Sequence, residues 1–253
     1  YVEGTGTITN PFNTLALFKA FLGNRDQASV TESVSTAPGV FFQNFTASNA
    51  AFLHLVVGIT TQAESGAANI ASYTDDYDAD IRQGNGGYGG TGTSPDIGAD
   101  EFAGVAADLT GPAISYTLVP NTSCTTDITL SATIIDASGV NALPLTKPRL
   151  YFKKTGDANT YAGNTSANNG WKYVEATNAS SPFSFTTDYT LLQSAVVTTD
   201  VIQYFVVAQD LVGTPNIGIN SGIFNAAPAS VALAAGNFPI TGTINSYTIV
   251  AAG

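Results

Sequence analysis

The chain has 253 residues, eight Lys and Arg against 19 Asp and Glu, and a net charge of −11; 44% of residues are hydrophobic and only 11% charged. This balance excludes a basic nucleic-acid footprint and electrostatic attraction to anionic lipid. No apolar run reaches the roughly 18 residues that span a bilayer, and a single cysteine excludes an intrachain disulfide or a multi-cysteine zinc site.

With so few charges, Thr, Ser, Asn, Gln and Gly must build most of the surface. Together with 25 Gly and 11 Pro, this points to many short strands joined by turns, an all-β chain. The charge is uneven: residues 1–104 hold 11 acids and 3 bases, residues 105–253 hold 8 acids and 5 bases. The chain lacks Met and opens in mid-pattern at Tyr1, as expected of a processed piece of a longer protein.

The first predicted element is a short helix. Asn13 stands at the cap position, Leu15, Phe18 and Leu22 follow at helical spacing, and Gly23 is the stop. Three short apolar runs come next, at 40–42, 51–57 and 68–70, each bounded by Thr, Ser, Asn or Gly. They recur every ten to fifteen residues or about that, without a hairpin signal between them, which suits parallel strands of a solenoid better than a meander. Residues 103–112 (AGVAADLTGP) read as a linker ending in a Gly-Pro break.

Beyond the linker the pattern changes. Strands are predicted at 113–119, 128–135, 149–153, 171–176, 183–187, 201–208 and 246–250, which suggests an immunoglobulin-like sandwich. Ile128, Leu130, Ala132 and Ile134 alternate onto one face. The run VIQYFVVAQD is apolar on both faces, as a central strand is. Long loops interrupt the pattern at 154–170 and 210–243.

Several stretches in the first half, FKAFLGNRDQASV, AAFLHLVV, AESGAANI, TDDYDADIR and SPDIGADEF, resemble in order and spacing the last rungs and closure of right-handed parallel β-helix domains. Such domains occur in large secreted and surface proteins of Bacteroidota, where a D-x-D-x-D-x-R turn followed by P-D-I-G-A-x-E ends the solenoid. The second half, on GPAISYTLVPNTSC, TLSATIIDASGV, PRLYFKK, YFVVAQD and PNIG, is similar to the immunoglobulin-like modules that follow these solenoids. Proteins of this kind include adhesins, cargo of the type IX secretion route and some carbohydrate-active enzymes. The resemblance implies terminal rungs and cap of a right-handed parallel β-helix over 1–102, a linker over 103–112 and an immunoglobulin-like β-sandwich over 113–253. It also implies an extracellular or bacterial cell-surface location.

Asp76, Asp78 and Asp80 alternate as ligands in a calcium loop do, but Ile81 stands where an EF-hand loop requires Gly and Gly87 where it requires Glu. Two readings stay open. Either Arg82 neutralises one or two of these carboxylates while the rest face water, or residues 75–80 and backbone carbonyls surround one hard cation, calcium. No other cofactor is read. In SPDIGADEF, Ile97 and Phe102 are expected to be packed apolar anchors flanked by acids, at least one of which accepts backbone amides or pairs with Arg82. The stretch would then be a polar cap and not an active site.

His54, the sole histidine, reads as a strand-face residue because the sequence names no nucleophile or second ligand near it. Cys124 reads as a small buried or half-buried thiol. Two or three of Tyr151, Tyr161, Trp171 and Tyr173 are expected in a core; the alternative is an aromatic platform for sugar. With no catalytic constellation in view, the expectation is a non-enzymatic, extracellular structural or adhesive chain. Its partners would be polysaccharide, a cell surface or further copies of itself in a filament. The alternative is a set of accessory domains of a secreted carbohydrate-active enzyme, such as a polysaccharide lyase or glycoside hydrolase.

Overall fold

The computed structural model describes residues 14–25 and 27–253, and the chain divides into two compact units at Ala107/Asp108.

The first unit opens with α1 (Leu15–Leu22). Its cap is Thr14, whose side chain accepts the Leu17 amide; Asn13, the expected cap, lies outside the described residues. Gly23 ends the helix at a φ of 64°, a conformation that a β-carbon would strain. Among the described residues, regular pairing is confined to β1 (Thr60–Thr61) and β2 (Val105–Ala106), two residues each and parallel. Around them are isolated bridges of both senses: Phe42 with Leu55 and Asp75 with Ile81 antiparallel, Asn44 with Phe52 parallel. The stretch expected to be a linker therefore contributes β2.

This overturns the resemblance to a β-helix terminus. Among the described residues no stack of parallel rungs forms, and the larger sheets of the chain are antiparallel. The physical reason lies in the apolar runs. A solenoid rung buries its apolar side only against neighbouring rungs, yet among the described residues of the unit Phe41 and Leu55 are the only buried large apolar side chains. Phe52, Leu53, Val57 and Ile70 are exposed, and Leu53 takes a positive φ of 60° that breaks the alternation through 51–57.

The second unit is two antiparallel sheets. One has the order β3 (Ala113–Ser115), β4 (Thr129–Ile135), β7 (Phe183–Thr186). The other contains β5 (Arg149–Lys154), β6 (Lys172–Glu175), β8 (Val201–Gln209), β9 (Ile217–Ile219) and β10 (Asn245–Thr248), in the order β10-β8-β5-β6 with β9 also on β8. Strand β4 alternates as its sequence predicts. Leu130, Ala132 and Ile134 point inward and meet Phe183 and Phe185 of β7, Leu150 and Phe152 of β5, and Ile202, Tyr204 and Val206 of β8. Ile128 packs partly buried against the same core.

Strands β5 and β8 pair from Arg149↔Val207 to Lys154↔Ile202 and have a core on each side. On the second side Tyr151, Trp171, Phe205 and Val207 meet Val231, Leu233, Phe238 and Ile240. Those last four belong to the stretch 210–243, expected as a loop, which instead folds over the outer face of the sheet. Tyr151 ties it down: its hydroxyl donates to the Val231 carbonyl and accepts the Leu233 amide. Tyr151 and Trp171 are fully buried, and Tyr161 and Tyr173 pack partly buried beside them, so these aromatics are core and not a platform. The loop between β5 and β6 is organised by two ammonium groups. Lys153 donates to the carbonyls of Lys154, Thr155 and Asp157, and Lys172 to those of Gly163 and Asn168; burial lowers the pKa of both.

Candidate cation centres

The first unit has few strand ladders, so its backbone amides need other acceptors. Carboxylates supply them. Glu32 accepts the Gln62 amide, Glu64 the Gly104 amide, Asp100 the Leu55 amide, and Asp96 the amides of Ser65 and Phe102. Glu101 accepts the amides of Gln83 and Asp96, and Asp76 those of Asp78, Asp80 and Glu101. Much of the acidity of residues 1–104 is thus internal wiring.

SPDIGADEF is the centre of this network, and it is built inside out relative to expectation. Asp96 and Glu101 are buried, at 1% and 7% exposure, whereas Ile97 is 39% exposed. Phe102 is only partly buried. The expected apolar anchoring at Ile97 is therefore corrected, while the acceptance of amides by acids is present. Among the described residues Arg82 is the cation of this network: Nη1 lies 3.5 Å from Glu101 Oε2 and donates to the Asp96 carbonyl, and Nη2 donates to the Gly98 carbonyl. Burial pushes the Asp96 carboxyl up to about 6, and the charges of Glu64 and Glu101 add to this; the Phe102 and Ser65 amides pull it back.

The three alternating aspartates have different neighbours. A bridge between Asp75 and Ile81 closes a tight turn with Ala79 at a φ of 72°. Asp76 turns inward to three amides. Asp80 lines a cleft of about 430 Å³ with Ile81, Tyr88, Glu101 and Phe102. Asp78 reaches His54. There the imidazole sits between two carboxylates, with Nε2 3.1 Å from Asp78 Oδ2 and Nδ1 3.6 Å from Asp100 Oδ1. Ligand atoms of the three residues lie within 4.8 Å of one another. His54 does not stand on a regular strand, and its two partners come from far along the chain, with no local pattern in the sequence to announce them.

The second unit has its own acidic group, formed by Asp108, Asp136 at the end of β4 and Asp210 at the end of β8. Asp210 is fully buried and is satisfied by the Val212 and Asn216 amides and the Asn216 side chain. Ser138 Oγ lies beside both Asp108 and Asp136, and its single proton serves one of them at a time. Ser138 and then Thr110 hold the Asp108 carboxyl down to about 2. Cys124, expected buried or half-buried, is exposed; its Sγ lies 3.0 Å from Thr126 Oγ1, and hydrogen bonding to Thr126 lowers its pKa. No helix among the described residues is long and apolar enough to cross a membrane.

No protein-family model matches the chain, and no curated protein is similar to it.

Proposed function

We propose that the chain is an extracellular structural or adhesive module whose second unit, an immunoglobulin-like sandwich, presents a hydroxyl-lined sheet face to polysaccharide or a cell-surface partner. The observation that carries this reading is the outer face of the β3-β4-β7 sheet. Ser115, Thr129, Ser131, Thr133 and Thr186 are exposed there, and the cross-strand pairs Ser115↔Thr133 and Thr129↔Thr186 put them on one uncharged surface. Such a surface offers donors and acceptors to a neutral glycan without the desolvation cost of charged groups. Two antiparallel sheets over a shared core support the immunoglobulin-like assignment. The commitment of buried carboxylates and ammonium groups to backbone atoms supports a scaffold role.

The test is native affinity electrophoresis of the chain through a panel of polysaccharides, with reducing-end release measured on the same mixtures. Retardation by a glycan that is lost in Thr133→Asp, with the melting of the sandwich unchanged, is the expected result. Release of sugar products would overturn the adhesive reading in favour of a carbohydrate-active enzyme. Retardation that Thr133→Asp leaves intact would move the binding surface elsewhere.

A further inference from the structure

We propose that His54, Asp78 and Asp100 bind a divalent first-row transition metal of the zinc class, with water completing the coordination shell. The ligand set is one imidazole nitrogen and two carboxylate oxygens within 4.8 Å of one another. Zinc bonds to such atoms are about 2.0–2.2 Å long, which sets ligand atoms about 3–4 Å apart around the ion. The His54–Asp78 separation of 3.1 Å already falls in that range.

Each carboxylate is held in place and still has capacity for a ligand. Asp100 is anchored through Oδ2, which accepts the Leu55 amide at 2.9 Å, and its other oxygen faces the imidazole. Asp78 rides on the turn that Asp76 pins through the Asp78 amide at 2.8 Å. Among the described residues, the Asp78 carboxylate meets no donor other than His54. Among the described residues no Lys or Arg pairs with these carboxylates, and Arg82 is committed to Glu101 and to the Asp96 and Gly98 carbonyls. A dication balances the two carboxylates beside the imidazole. The nitrogen ligand selects against calcium and magnesium, which take oxygen, and in favour of zinc, nickel or cobalt. Side-chain exposures of 27% for His54 and 37% for Asp78 leave a path for the ion and its waters.

The alternative is a metal-free arrangement in which His54 simply bridges two acids, and one experiment separates the two. The full chain, free of any histidine tag and carrying Cys124→Ser to remove the only thiol, is treated with chelator and titrated with Zn²⁺ and Co²⁺ by calorimetry. The His54 ring protons are followed by NMR; as the only histidine, His54 needs no assignment. The expected result is saturable one-to-one binding that shifts the His54 resonances and resists a large excess of Ca²⁺. Asp78→Asn and Asp100→Asn should each weaken binding about tenfold or more, while Asp80→Asn leaves it unchanged. The NMR readout on unsubstituted His54 keeps the test decisive if a variant fails to fold. No saturable binding, binding that leaves His54 unshifted, or equal competition by Ca²⁺ would overturn the proposal.

Discussion

At Asp96 one carboxylate is both needed and penalised. It satisfies two amides that have no other acceptor, yet burial beside Glu64 and Glu101 lifts its pKa from 3.8 to about 6. Between about pH 6 and pH 4 the folded unit holds a proton there that the unfolded chain has released. Its contribution to stability therefore rises as the pH falls through that window, by about 1–3 kcal/mol, and levels off below it. Asp96→Asn should flatten this dependence while lowering the melting temperature at every pH, because an amide offers one acceptor where two amides must be met. Melting curves of both proteins across the window check this; a native slope of opposite sign would contradict it. Arg82 has the complementary role. Arg82→Gln leaves the Glu101 side chain, 4% exposed, without its cation and should cost about 3–5 kcal/mol in urea titrations.

Among the elements, the SPDIGADEF turn and the β5–β8 pair show opposite strategies. The turn buries polar groups and leaves its largest aliphatic outside, so Ile97→Ala should change stability by only about 0.5 kcal/mol or less. A loss several times larger would mean that Ile97 is an anchor after all. The strand pair buries apolar groups on both faces, and the 210–243 stretch depends on it. Tyr151→Phe keeps the ring but removes the hydroxyl that bridges the Val231 carbonyl and the Leu233 amide, leaving those two only their 3.1 Å bond to each other, at a cost of about 0.5–1.5 kcal/mol. Hydrogen exchange should show the Leu233 amide losing protection while those of β4 keep theirs.

For the molecule as a whole, the two units respond to acid in different directions. Hydrogen bonds hold Asp108 of the second unit down to about 2 in the folded state, against 3.8 for the ordinary carboxyl. Its contribution is present above about pH 4 and is lost as the pH falls towards 2. Calorimetric scans at pH 7, 5 and 3 should therefore raise the transition of the first unit between pH 7 and pH 5, leave that of the second unchanged over the same range, and lower the second only below about pH 4. The net charge of −11 likewise conceals two situations: acids that accept amides inside the first unit, and acids at strand ends in the second.

The sequence by itself determined the parts whose signal is local. Period-two alternation through Leu130, Ala132 and Ile134, the two-faced apolar run from Ile202 to Val207, and the Gly23 helix stop are all properties of neighbouring residues, and each is realised in the structure. Only the tertiary structure decided the rest. Short apolar runs between Thr, Asn and Gly do not reveal whether neighbouring rungs cover them, and among the described residues of the first unit no such stack forms. The acids looked like a surface feature because nothing in their local pattern says which distant amides lack a partner. The same holds for His54, whose two carboxylates reach it through a turn pinned by Asp76 and an anchor at the Leu55 amide. Acceptor-to-amide pairing is a long-range choice set by the folded backbone, whereas alternation is written along the strand.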